Sequence, residues 1–464
     1  MKKNLVIISV PFQRLIRVLL SDSVLKPLCK QANILIVSPF ASNQAFQKDF
    51  SDKPIDLIQW AAPEKIRQPF GLLYIVSESL RTLGYWRRNH KKGMEYYLAI
   101  IYKQFGIDGD DKNISFFKRV VFYLISILGL WSKSWRVIDK IIGPSVFNFP
   151  TLQNITQGYN EVTLIQSANW GMQDRMLAWM GRKEKWRTTL IPYTTDQLYC
   201  NGYLISDFSV ICVQGTAEDG FARTLHNLPS ERVKKLGSVW FRNIEQIKKS
   251  LSIKKDNGEI RKILYAGVSS RYFPRSSEYL GLEIILHACS CNELSNTHII
   301  YRPLGETKEI RKEIEERYKN TPNLTIQFAQ QSCYGLEEFG GVSNSEGLKE
   351  YLKQLVDIDI LVMCLGTSLT LDAASMGIPT VCYIVDFTNV LKKRETHLFF
   401  NKEGRFDIYP SVPVIHNQSD LVPAINDLLN DKEKAASQVR HLTSLWDYPD
   451  ADFQKILLES VFGK

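Results

Sequence analysis

The feature that most constrains this chain is an alternation that runs nearly from end to end. Short, continuous apolar runs are separated by stretches of helical periodicity. Leu5–Val10, Ile34–Val37 and Ile55–Trp60 open the series, and a helix is expected from about Leu15 to Cys29 between the first two. Strands covered on both faces lose the in–out pattern of half-exposed ones, so such runs predict a buried parallel sheet. The runs resume with Thr163–Gln166, Thr189–Tyr193, Ser209–Val213 and Val233–Leu236. A second block holds Ile263–Val268, His298–Pro303, Leu324–Phe328, Ile360–Leu365 and Thr380–Val385. Strand, helix, strand in repeated order predicts the α/β class, with doubly wound sheets.

The alternation breaks at Ile244–Lys262, a charged stretch around Asp256-Asn257-Gly258 that reads as a linker. With 464 residues the chain exceeds a single hydrophobic core. The expected division is residues 1–243, a linker at 244–262, and 263–464 with helices from Leu421 onward. Two such halves place a ligand in the cleft between them, at the carboxyl ends of the strands. Residues 65–145 are helical, aromatic and basic, and read as an insertion in the first half.

Inside that insertion lies Val120–Trp131, twelve residues flanked by Lys118, Arg119, Lys133 and Arg136, with Trp131 and Trp135 at one end. It fits either a buried core helix or a helix lying in a membrane interface. The cluster Arg87, Arg88, Lys91 and Lys92 beside Tyr85 and Trp86 adds to the second reading without deciding between them, and residues 85–136 are a candidate anionic-membrane surface. No stretch reaches the roughly 20 apolar residues of a membrane span. The net charge of +9 suits an anionic small substrate or a bilayer and falls short of a nucleic-acid binder. Eight scattered cysteines show no Cys-x-x-Cys pair, which argues for a reduced, cytoplasmic chain without zinc. The N-terminal apolar run is followed by Pro11, Gln13 and Arg14 and reads as a strand rather than a signal peptide.

The most informative segment is Ile360–Val385, ILVMCLGTSLTLDAASMGIPTVCYIV. An apolar strand ends at Gly366, Thr367, Ser368 and Thr370 follow as a helix begins, and Asp372 sits in its first turn. Glycine admits close backbone approach, and hydroxyls with free N–H groups at a helix start hold phosphate oxygens. An ordinary capped strand-turn-helix fits the same residues. Asp357-Ile-Asp359 has the form of a metal-binding pair but precedes a buried strand and reads as a solvated turn.

The order Gly-Thr-Ser, then Asp-Ala, then Gly-x-Pro before an apolar strand resembles the donor-binding segment of GT-B glycosyltransferases. Their relatives include sugar-nucleotide 2-epimerases and CDP-glycerol glycerophosphotransferases. The resemblance implies two Rossmann-like domains facing a cleft, with the nucleotide held mainly by the second. It places Gly366, Thr367, Ser368 and Thr370 near a diphosphate and Asp372, in place of the commoner glutamate, near a ribose. Ile299–Glu306 resembles the strand end that brings a basic group to the donor phosphates, here Arg302 before Pro303. Tyr265–Arg275 supplies Gly267, Ser269, Arg271 and Arg275 as a second phosphate contact. In the first half, Thr163–Val239 resembles the acceptor side of bacterial surface-polysaccharide transferases. Its carboxylates Asp196, in the loop Tyr193–Leu198, and Asp174, at a helix start, are the candidate general bases.

The resemblance therefore implies a metal-independent enzyme that needs no cofactor. It would move a sugar from a nucleotide-sugar to a glycan or lipid-linked acceptor in cell-surface polysaccharide synthesis, in the cytoplasm or on the inner membrane face. A polyol-phosphate transferase and a non-catalytic, membrane-associated assembly protein remain as alternatives.

Overall fold

The apolar runs fold into strands, and every strand pairing among the described residues is parallel. The computed structural model of the chain describes residues 4–60, 69–89, 116–131, 133–147, 149–168, 171–194, 197–251, 260–268, 274–304, 307–328, 345–364, 368–384 and 408–463. The chain divides into two units, Met1–Trp240 with Asp447–Lys464, and Phe241–Trp446.

The first unit holds β1 (Leu5–Ser9), β2 (Asn33–Ser38), β3 (Ile55–Gln59), β4 (Val162–Gln166), β5 (Arg187–Leu190), β6 (Val210–Val213) and β7 (Val233–Lys235). Their order across the sheet is β3-β2-β1-β4-β5-β6-β7. All five residues of β1 and all four of β6 are buried, which explains why these strands read as unbroken apolar runs. The second unit holds β8 (Arg261–Ala266), β9 (Thr297–Arg302), β10 (Leu324–Ile326), β11 (Ile360–Met363), β12 (Thr380–Tyr383) and β13 (Val414–Ile415), ordered β10-β9-β8-β11-β12-β13. Strand order reverses between β1 and β4 in one sheet and between β8 and β11 in the other. Adjacent loops part at such a point and leave a crevice beyond the strand ends, where α/β sheets bind ligands.

Several expectations are corrected. The helix expected over Leu15–Cys29 is broken: Ile16–Leu19 ends, Ser21 is extended with its hydroxyl on the Val18 carbonyl, and a helix restarts at Asp22. The segment read as a linker begins as helix, since Val239–Leu251 runs through its first residues. The last helix, Phe453–Phe462, belongs to the first unit rather than the second. Thr163 Oγ1 donates to the Val461 carbonyl at 3.0 Å and Thr189 Oγ1 to that of Ser460 at 3.0 Å, while Leu457 and Val461 are buried.

Between β3 and β4 the described helices are Pro69–Asn89, Phe116–Leu128, Ser134–Val146 and Pro150–Thr156. A buried ion cluster fixes two of them to the helix Met172–Lys183. Arg175 pairs with Glu78 at 3.0 Å and with Asp139, and donates to Ser77 Oγ at 2.6 Å. Arg81 donates from Nε to Glu78 at 2.9 Å and from Nη1 to the Asn201 carbonyl at 2.7 Å. The charges are buried but paired, and removing one partner would leave an uncompensated charge in the core. Among the described residues no helix is long and apolar enough to cross a membrane.

Candidate functional site

In the second unit, strand register brings Gly267 and Arg302 to the carboxyl end of the sheet. Ala266 at the end of β8 pairs with Arg302 at the end of β9 on one side and with Met363 at the end of β11 on the other. The Gly267 amide donates to the Arg302 carbonyl at 3.0 Å and that of Cys364, just after β11, to the Ala266 carbonyl at 3.3 Å, so these strand ends meet. Ser269, Arg271, Gly366 and Thr367 lie outside the described residues.

Arg302 is the cation of this edge. Its guanidinium carbon stands 4.8 Å above the ring of Tyr351, on the helix Ser345–Val356. Its Nη1 is buried without a hydrogen-bond partner among the described residues. The ring holds the guanidinium by cation–π attraction and leaves its N–H fork to address an anion. The Tyr351 hydroxyl donates to Asp372 Oδ2 at 2.6 Å. A chain Arg302–Tyr351–Asp372 thus links the end of β9 to the helix Leu369–Ser375. No sequence motif marks Tyr351, and its helix offered no functional signal.

The hydroxyls of the turn divide. Ser368 is exposed at the helix start. Thr370 is fully buried and its hydroxyl faces Met363 Sδ at 3.2 Å, so it packs inward rather than toward a diphosphate. Asp372 is 6% exposed. Gly267 has a steric reason to be glycine: a Cβ there would lie 2.2 Å from Glu278 Oε1. Glu278 is fully buried, accepts from the Tyr301 hydroxyl and from Arg275 Nη1 at 3.3 Å, and burial raises its carboxyl above the usual range. Arg275, expected at the phosphates, is committed to Glu278 and to the Leu304 carbonyl at 3.3 Å. Asp359, in the motif read as a solvated turn, accepts from the Lys262 amide at 2.9 Å.

In the first unit the β1/β4 switch point holds Asp174. Its Oδ1 accepts from Ser9 Oγ at 2.7 Å and from Gln166 Nε2 at 3.1 Å, side chains that end those two strands. Gln173 Nε2 braces Ser9 Oγ at 3.0 Å and the Val37 carbonyl at 2.8 Å. Asp174 Oδ2 is buried with no partner among the described residues. Burial pushes the carboxyl up to about 7 against the two hydrogen bonds that oppose it. A carboxyl titrating near neutrality has the strength of a general acid or base. The side chain is also fully enclosed, so its use requires Oδ2 to be uncovered. Asp196 lies outside the described residues; its neighbour Gln197 is buried and accepts from the Tyr193 amide at 3.0 Å.

No protein-family model matches the chain. No curated protein sequence matches it. Solved structures do. UGT89C1 of Arabidopsis thaliana complexed with UDP-L-rhamnose is 11% identical, with 100% of this chain and 99% of that chain covered and a TM-score of 0.51. At that identity the likeness speaks for the fold alone. Together with two parallel sheets of switch-point order, it defines the class: two Rossmann-like units, the GT-B fold that the sequence resemblance implied. The UDP-GlcNAc 2-epimerase of Neisseria meningitidis is also similar, at 10% identity, 100% coverage of both chains and a TM-score of 0.46. So is the wall teichoic acid polymerase TagF, at 10% identity, 99% and 87% coverage and a TM-score of 0.43.

Proposed function

We propose that the chain is a GT-B glycosyltransferase that binds a nucleotide-sugar through its second unit. The observation that carries this is Arg302: a guanidinium stacked on Tyr351, with a buried donor, at the switch point of a Rossmann-like sheet. A diphosphate supplies the oxygens such a fork addresses, and the charge-assisted bonds strengthen as the nucleotide leaves with added negative charge. Ser368 adds a hydroxyl at the same edge. Asp372 acts on a ribose hydroxyl or, through Tyr351, holds Arg302 in place. In the first unit, Asp196 is the proposed general base for an acceptor hydroxyl, with Asp174 the alternative. The acceptor is a glycan or lipid-linked glycan of the cell surface, which places the protein in the cytoplasm or on the inner membrane face. Cationic side chains neutralise the leaving diphosphate, so activity needs no metal.

The test is release of free nucleotide from a panel of UDP-, GDP-, CDP- and dTDP-sugars and CDP-glycerol, with and without EDTA. Turnover of a nucleotide-sugar that survives EDTA is expected. Turnover of CDP-glycerol alone would favour polyol-phosphate transfer, and loss in EDTA restored by magnesium would overturn the metal-independent mechanism.

A further inference from the structure

The helix Phe116–Leu128 turns an apolar face outward. Val120, Tyr123, Leu124, Ile127 and Leu128 recur at the three- and four-residue spacing of one helical face, and Leu130 and Trp131 extend it. That face is the solvent-exposed one: Leu128 is 64% exposed and Trp131 60%. The inward side carries Ser126 and Gly129, both buried. Ser126 accepts from Arg87 Nη1 at 3.0 Å. A Cβ on Gly84 would lie 1.9 Å from the Gly129 carbonyl oxygen, so the two backbones pack directly and fix which face points out. The next helix, Ser134–Val146, repeats the pattern with exposed Val137 and Ile141, the latter 63% exposed. Lys133 and Lys140 are exposed in the same stretch.

We infer that the exposed residues of 120–131 and 133–141 form a docking surface for an anionic lipid bilayer, with the outward apolar stripe entering the headgroup–acyl boundary and Lys133 and Lys140 meeting lipid phosphates. A monomer gains nothing by holding large side chains of consecutive helices in water, and apolar faces edged by lysine match an interface of apolar tails under anionic heads. Trp131 suits the boundary itself, where an indole has an apolar body and one N–H. The surface is shifted from residues 85–136: Tyr85, Trp86 and Trp135 are fully buried and Arg136 pairs with Asp207, while the exposed apolar residues run on to Ile141. It gives a structural basis to the peripheral-membrane part of the proposed function and does not depend on the donor site.

Flotation with phosphatidylcholine vesicles, with and without phosphatidylglycerol, at low and high salt, tests the inference on the full chain. The protein should float with the anionic vesicles, less so at high salt. Leu128→Ser with Trp131→Ser should cut the bound fraction about tenfold or more, since each exposed side chain loses its burial. Lys133→Glu with Lys140→Glu should reduce binding to anionic vesicles only. Both variants should keep the wild-type melting temperature and nucleotide response, which separates this inference from the donor reading. Recovery of the wild type in the soluble fraction throughout would overturn it. So would a concentration-dependent dimer, seen by sedimentation, that Leu128→Ser with Trp131→Ser abolishes, because the face would then cover a second copy.

Discussion

The hydroxyl of Tyr351 donates to Asp372 Oδ2 at 2.6 Å, and the same ring carries the guanidinium of Arg302 at 4.8 Å. One tyrosine therefore couples the cation of the sheet edge to the acid of the following helix. The resemblance expects a glutamate where this chain has the shorter Asp372, and Asp372 Oδ2 is engaged by the Tyr351 hydroxyl.

Tyr351→Phe keeps the ring under Arg302 and removes the bond to Asp372. Loss of a hydrogen bond to a charged group costs about 1.5–3 kcal/mol. Part of that loss should appear as weaker nucleotide binding by titration calorimetry, with Arg302 still in place. Tyr351→Leu removes the ring as well and should weaken binding further. Equal affinity in all three proteins would detach Tyr351 from the donor site.

The ion cluster makes a separate claim about stability. Burial pushes Glu78 up, but Arg81 and Arg175 outweigh it and hold its carboxyl below the usual range. Glu78→Gln leaves the two buried arginines short of charge and should destabilise the protein by about 3–5 kcal/mol in urea denaturation. A lowered acid contributes stability above its unfolded pKa and loses it as pH falls through the folded one. The wild type should therefore lose stability on acidification below about 4.5, and the variant should show a shallower decline.

Asp174 has the opposite sign. Its carboxyl sits at about 7 in the folded chain against 3.8 for the ordinary group, so the folded state holds the proton more tightly. Its contribution is full below the lower value and is lost as pH rises across that window, with a slope approaching about 1.4 kcal/mol per pH unit. Melting temperature against pH should fall less steeply over this range in Asp174→Asn. A flat difference between the two proteins would mean that the carboxyl is not raised.

Turnover separates the two candidate bases. Asp196→Asn retains shape and removes the basic oxygen, so it should lower the rate about 100-fold while donor affinity stays unchanged. Wild-type turnover in Asp196→Asn with a large loss in Asp174→Asn would move the base to the switch point of the first sheet. Wild-type turnover in both would favour a retaining reaction without a base of this kind.

Much of this architecture was legible because its strands are buried on both faces. Ile360–Met363 and Val210–Val213 each show four consecutive apolar residues, all of them buried. β13 escaped notice because Val414–Ile415 is two residues long and only half-buried. The return of Phe453–Phe462 to the first unit is a long-range contact, and chain order carries no record of it. Of the proposed site, Arg302 and Ser368 could be named from local spacing alone. It was not legible where side chains distant in sequence meet: Tyr351 and Asp372 are 21 residues apart. Thr370 shows the limit of the motif itself, since the helical turn that exposes Ser368 rotates Thr370 into the core.

The proposed function requires the second unit to bind a nucleoside diphosphate through Arg302. A ligand that binds only the folded state raises the melting temperature. Thermal unfolding of the wild type and Arg302→Ala with UDP, CDP, GDP and dTDP is the direct measurement. At least one nucleotide should stabilise the wild type, and Arg302→Ala should bind it more weakly by about 1.5–3 kcal/mol. No response to any nucleotide, or an identical response in the two proteins, would contradict the account.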